Sequence, residues 1–302
     1  MRKTTLIFIL FLHYSSIQAQ EKTLLFSNYS FNGLAINPAY AGSHEMLSFS
    51  ISHRNQWVGF EGAPAYNTLG IHTPLKNTRM GLGFLLLNES IGLRKYTGFY
   101  LNYAYRLNLG RGKLALGLKG GIASGKMEAI ELGDDDYIFS ENSNSYLLPN
   151  FGVGVYYYSG NFFAGLSVPL LLGYKTNETG EITVYNDFSR YAYYLTAGAY
   201  LKLTENWKLK PSALAMYEKS GGIIADGGLS VLYKDILTAG LSYRTQKALV
   251  LLLDCKITYQ LHVGIAYDYG MNEINEYNRS SFEIALQYNF GFRIKASNPT
   301  VF

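Results

Sequence analysis

The chain has 302 residues, a formal net charge of +4, and 15% aromatic against only 16% charged residues. Soluble domains carry about 25% charge, so this composition is under-charged for a surface facing water, and its near-neutral balance argues against nucleic acid as a partner. Mean hydropathy is essentially zero, and no apolar run approaches the roughly 18 residues that a membrane-spanning helix requires. Low charge without long apolar runs fits strands that alternate apolar and polar residues, a pattern that a sliding average hides.

The N-terminus reads as an address rather than as structure. Arg2 and Lys3 precede a short apolar core, Leu6 to Leu12, and Ile17-Gln18-Ala19 ends in a small residue. That is the tripartite form of a secretory signal peptide covering 1–19, with the mature barrel domain running over 20–302. Losing Arg2 and Lys3 takes the net charge from +4 to +2. The one cysteine, Cys255, rules out an intrachain disulfide and shares its parity with Leu251 and Leu253, so it reads as a small apolar residue facing lipid.

Residues 20–45 form a short periplasmic segment. Within it, Asn37-Pro38 and Ala41-Gly42 are turn dipeptides that stop any helix and bend the stretch, which is expected to tuck into the mouth of a barrel.

From there the period is two. Phe282, Ile284, Leu286, Tyr288 and Phe290 alternate with Glu283, Ala285, Gln287 and Asn289. Phe99 to Leu109 and Tyr259 to Tyr269 repeat the arrangement, with aromatics toward the ends of the runs. Strands are predicted at 46–55, 64–73, 79–88, 96–109, 113–125, 148–158, 161–168, 190–204, 206–217, 223–233, 236–244, 247–256, 258–270 and 280–292. Connections alternate between short turns and a mostly longer set at 56–63, 89–95, 126–147, 169–189, 218–222, 245–246 and 271–279. The fold class is therefore all-β, an antiparallel up-and-down transmembrane barrel of about fourteen strands, closed because an open edge in hydrocarbon leaves backbone groups unsatisfied. An even count places both termini on the periplasmic side. A soluble sandwich would cover its second face with charge; here that face is Gly, Ser, Thr, Asn and Tyr. Pro211 and Gly227-Gly228 mark bulges or an edge position, and the inward parity of Tyr100, Tyr156, Tyr194 and Tyr200 fills part of the interior.

Chemistry is sparse. Gly81-x-Gly83 and Gly152-x-Gly154 lie in strands without a following helix, so they read as small lumen residues rather than phosphate loops. Asp134-Asp135-Asp136 lacks calcium-loop spacing, the histidines do not pair at ligand spacing, and no strained nucleophile turn appears. No catalytic residue, cofactor or metal site is predicted, and the chain does not read as an enzyme.

The most specific signal is local. Asn37-Pro38-Ala39-Tyr40-Ala41-Gly42-Ser43 is followed by Arg54-Asn55-Gln56-Trp57-Val58-Gly59-Phe60-Glu61-Gly62-Ala63-Pro64. On residue type and position, Trp57 suits the outer interface and Arg54 the lumen. With Gly81-Leu82-Gly83, Tyr103-Ala104-Tyr105-Arg106, Pro149-Asn150-Phe151-Gly152, Gly165-Leu166-Ser167-Val168-Pro169, Leu209-Lys210-Pro211-Ser212 and Ala266-Tyr267-Asp268-Tyr269, the pattern closely resembles the PorP/SprF family of Bacteroidetes outer-membrane proteins. It departs at the C-terminus, Ser297-Asn298-Pro299-Thr300-Val301-Phe302, where relatives often end in a Ser-Pro-Arg-Tyr-Phe-like run.

The resemblance implies a non-enzymatic outer-membrane barrel of the type IX secretion system. Its partners would be outer-membrane lipid, other components of that system, and a secreted surface protein carrying a type-B C-terminal sorting domain, such as a gliding adhesin. Tyr137, Phe139, Tyr146, Tyr174 and Tyr185 in the two longest loops are the candidate anchors for that partner, picked on loop length and side-chain type. The alternative is a porin-like channel for small solutes.

Overall fold

In the computed structural model, the described residues are 26–75, 78–127, 131–132, 136–137, 146–176, 182–219, 221–271 and 280–291. The signal peptide, Phe139 and the C-terminal run lie outside them. Fourteen long strands run antiparallel to their neighbours: β1 Leu47–Asn55, β2 Ala65–Pro74, β3 Met80–Ile91, β4 Arg94–Leu109, β5 Gly112–Met127, β6 Tyr146–Tyr158, β7 Phe162–Val168, β8 Tyr193–Ala199 resumed at Leu201–Lys202, β9 Trp207–Glu218, β10 Gly222–Tyr233, β11 Leu237–Arg244, β12 Ala248–Lys256, β13 Leu261–Gly270 and β14 Ser281–Phe290. β1 pairs with β14 from Leu47↔Phe290 to Asn55↔Phe282, and β8 pairs with β9, so the sheet closes on itself and has no free edge.

Each predicted strand is present, with ends shifted by a few residues. Alternation sorts the side chains as the pleat requires. On β14, Ser281, Glu283, Ala285, Gln287 and Asn289 turn inward and are buried, while Phe282, Ile284, Leu286 and Phe290 face out and are exposed. Outward aromatics gather at both strand ends. The Trp207 ring lies tilted against that of its cross-strand partner Tyr233, 4.6 Å between centroids, at one end, and Tyr193 lies 6.3 Å from its partner Tyr217 at the other. Two such girdles bounding an apolar band are the signature of a barrel wall in lipid.

Three expectations change. The bulge foreseen at Pro211 and Gly227-Gly228 is absent: β9 and β10 pair without a slip from Trp207↔Tyr233 to Glu218↔Gly222. Proline has no N–H to give, and the disruption appears instead in β8, which breaks at Tyr200 beside Pro211 and resumes in the same register at Leu201↔Leu209. The loop expected at 89–95 is a tight turn, because β3 and β4 stay paired to Ile91↔Arg94. Tyr146, expected in a loop, opens β6 and pairs with Gly125.

The short turns have local causes. Lys234 and Asp235 both hold positive φ, 52° and 55°, and Ile236 N–H donates to the Tyr233 carbonyl at 2.9 Å. Two central residues of positive φ make a type I′ turn, whose twist matches that of the strands it joins.

Candidate functional site: a plugged lumen

The segment expected at the barrel's mouth fills its interior instead. Of residues 26–44, all but Ser30 are buried. They include a one-turn helix, Gly33–Ile36, and a 3-10 turn, Pro38–Tyr40. The physical reason is that this stretch is apolar or uncharged throughout, FSNYSFNGLAINPAYAGSH, and a wide barrel leaves inward side chains a space they cannot fill alone.

The plug seats on two kinds of wall. On one side Leu34, Ile36 and Tyr40 join Tyr100, Tyr156, Tyr194, Leu214 and Met216 in a single apolar cluster, against which the half-buried Tyr200 packs. All four inward tyrosines expected to fill the interior therefore do so. Here the wall is notched by glycine. A Cβ on Gly117 would run into the backbone of Ala39, one on Gly154 into the Asn37 amide, and one on Gly81 into the Ala41 carbonyl. Gly81 and Gly117 are thus small because a second backbone lies against them, and Gly154 because the Asn37 side chain does.

On the other side the wall is ionic. Arg54 of β1 bonds Asp268 at 2.6 Å and Glu283 at 3.3 Å, and Arg244 of β11 bonds Asp268 at 2.9 Å and Asp226 at 3.0 Å. Ser27 of the plug sits at the centre. Its hydroxyl donates to Asp268 at 2.7 Å and accepts from Arg54 at 2.7 Å and Arg244 at 3.0 Å, while its backbone N–H donates to Glu283 at 2.8 Å. Asn32 extends the network: its amide donates to Glu283 at 3.1 Å, and its carbonyl oxygen accepts from Ser52 and Thr68. Asn28 donates to Asp254 at 2.6 Å. Arg54, Arg244, Asp226, Asp268 and Glu283 are buried, and buried charges persist only when paired and hydrogen-bonded, as these five are.

At the plug's C-terminal end, His44 sits between Tyr40, whose hydroxyl is 2.7 Å from Nε2, and Ser48, whose hydroxyl is 2.9 Å from Nδ1. The His72 ring lies 4.7 Å away. Burial lowers the His44 imidazole to about 4, the neighbouring His262 pushes the same way, and a hydrogen bond with Asn289 opposes them.

The motif residues divide between plug and rim. Asn37 caps the 3-10 turn by accepting from Ala39 N–H at 2.9 Å and donates to the Val155 carbonyl at 3.0 Å. Pro38 opens that turn and Ala39 is fully enclosed. Gly42 adopts φ 71° and donates its N–H to His72 at 3.1 Å. Arg54 is in the lumen, as its parity implied. The rest shape the β1–β2 loop: Gln56 N–H donates to the Pro64 carbonyl at 2.9 Å, and Trp57, Gly59 and Gly62 take φ of 50°, 92° and 73°. Gly62 accepts from Gly92 at 2.8 Å and Val58 donates to Ser280 at 3.0 Å, so the loop is tied to both neighbouring hairpins. Trp57 is half-buried in this loop, donating its N–H to the Ser281 hydroxyl at 3.3 Å.

Of the loop aromatics, Tyr137 lies in a two-residue strand paired with Glu131–Leu132, and Tyr174 and Tyr185 lie on facing strands of a hairpin, Gly173–Thr176 with Ile182–Tyr185. The ionic cluster was missed in the sequence, although a signal existed. Asp226, Arg244, Asp268 and Glu283 are charges at inward parity in a charge-poor chain.

No described helix is long and apolar enough to cross a membrane. Comparison with curated proteins yields no match. Among solved structures, the CymD monoaromatic hydrocarbon channel superposes with a TM-score of 0.55 at 11% identity, covering 87% of this chain and 94% of that one. The Pseudomonas putida toluene transporter TodX gives 0.49 at 12% identity, over 86% and 94%. Omp33 of Acinetobacter baumannii gives 0.48 at 8%, over 82% and 99%. The CymD likeness is one of fold: a transmembrane β-barrel of outer-membrane type. The profile of the type IX secretion system membrane protein PorP/SprF matches residues 18–288, nearly the whole chain, and the protein belongs to that family.

Proposed function

We propose that this protein is a non-enzymatic outer-membrane barrel that receives or anchors a secreted surface protein carrying a type-B C-terminal sorting domain. Its leader is cleaved after export, the mature domain is 20–302, and both termini lie on the periplasmic side. One observation carries the reading beyond family membership: the lumen is filled by the chain's own residues 26–44. A barrel so filled is poorly suited to serve as a constitutively open porin and well suited as a rigid wall that presents loops. Strand ends close to the membrane hold the long connections after β5 and β7, where Tyr137, Phe139, Tyr146, Tyr174 and Tyr185 would meet the partner.

The test is genetic and biochemical. Residues 128–145 and 177–181 are each replaced by a short turn in the full chain, and retention of a sorting-domain protein at the cell surface is measured. Loss of retention with normal barrel assembly supports the reading. Unchanged retention in the double replacement removes the loops from the partner site, and failure of the native barrel to co-purify with any sorting-domain protein removes the role.

A further inference from the structure

The two halves of the plug are held differently. Residues 33–44 press their backbone into the notches at Gly81 and Gly117, set the Asn37 side chain against Gly154, and bury Leu34, Ile36 and Tyr40 among wall side chains. Residues 26–32 instead meet the ionic wall mainly through three uncharged polar side chains, Ser27, Asn28 and Asn32.

That ionic wall does not need the plug for its charges. Residues 26–44 contain no Asp, Glu, Lys or Arg. The two arginines are paired directly with wall carboxylates, Arg54 with Asp268 and Glu283, and Arg244 with Asp226 and Asp268. Withdrawal of Ser27 would therefore leave every ion pair intact, and water would replace only its hydroxyl and N–H. Along the same side five inward positions are small, Gly228, Gly240, Gly264, Ala266 and Ala285, interspersed with larger ones such as Val250 and Gln287. A cavity at the short-turn end already reaches Ser30 and Phe31, bordered by Asp254, Lys256, His262 and Gln287.

We propose that residues 26–32 are a gate over an ion-conducting path on the β10–β14 side of the lumen, while residues 33–44 stay in place as a fixed seal on the opposite side. The substrate class is small hydrated inorganic ions, which a wall of paired charges, Ser hydroxyls and glycine backbone admits. Phe26 and Tyr29 reach across to the apolar cluster and keep the closed state dominant, so native openings are brief. This activity is independent of any secreted partner.

The experiment is single-channel recording of the purified full-length protein in planar bilayers in potassium chloride, with folding checked by heat-modifiable gel mobility. Ser27→Ala/Asn28→Ala should raise open probability at least tenfold over the native barrel. In a Cys255→Ser background, Asn28→Cys/Gly264→Cys places two thiols where Gly264 faces the Asn28 amide. Oxidation should abolish the openings and reductant should restore them. Because the Gly264 change also crowds Phe31, a second readout uses Cys255→Ser/Ser27→Cys. Its labelling by a membrane-impermeant maleimide should accelerate at least tenfold when Asn28→Ala is added. A folded Ser27→Ala/Asn28→Ala barrel that stays silent, or labelling that does not respond to Asn28→Ala, overturns the gate.

Discussion

Arg54 and Asp268 lie 214 residues apart in the chain and meet at 2.6 Å inside the barrel, with the Ser27 hydroxyl bonded to both. One contact therefore joins the first strand, the penultimate strand and the plug. Strand closure supplies the ion pair and plug docking adds a hydroxyl to it, so the same buried group reports on both.

Arg54→Ala leaves Asp268 with Arg244 alone and Glu283 with no cation among its described salt bridges. Removing one partner of a buried pair costs about 3–5 kcal/mol, since the remaining charge stays desolvated. The expected result is a matching loss in reversible unfolding free energy in lipid vesicles. A change under 1 kcal/mol, on the order of an exposed pair, would show that water reaches the cluster freely.

Gly117→Val and Gly120→Val sit on one strand with opposite outcomes. The first Cβ points at the Ala39 backbone, the second outward with only the Phe151 ring near, at 3.7 Å. Overpacking at Gly117 should cost about 1–3 kcal/mol and displace the plug, while Gly120 should stay within about 0.5 kcal/mol. Limited proteolysis of residues 26–44 reads the difference, and equal protection in both variants would contradict the close approach.

Acid should loosen the plug through His44. Its folded value of about 4 lies below the unfolded value near 6.5, so the unfolded or undocked chain binds the proton more readily. The contribution is complete above pH 6.5 and is lost as pH falls toward 4. Tyr40, Ser48, His72, His262 and Gln287 surround the ring or lie near it, and protonation there has no carboxylate to answer it among the contacts described. Protease sensitivity of the plug should rise over that window in the native chain. His44→Gln should flatten the profile; an unaltered profile would assign the effect to another group.

Leu251, on β12 opposite Leu241 and Tyr267, is 46% exposed on the outer wall. If this face lies in hydrocarbon, Leu251→Arg should cost about 2–4 kcal/mol near the bilayer midplane. Detergent-to-vesicle folding titrations measure it, and a neutral result would place the band outside the membrane core.

The strands were legible because a two-residue period is a local property. Phe282 to Phe290 alternate visibly, and the parity of Arg54, Tyr100 and Tyr156 followed from position alone. The plug was not legible. Residues 26–44 carry turn dipeptides that predict bends but no period that says against what they pack. Likewise Asp226, Arg244, Asp268 and Glu283 each appear singly in their strands.

The sequence by itself determined a charge-poor, alternating chain that must close into a fourteen-stranded barrel, because pleat and lipid leave no other arrangement satisfied. It also carried the family, through Asn37 to Pro64. Only the tertiary structure decided that the barrel is filled. Closure brings β1, β10, β11, β13 and β14 to one side of a shared interior, and the pairing of charges across it, like the fit of Ala39 against Gly117, depends on distances that no stretch of chain contains.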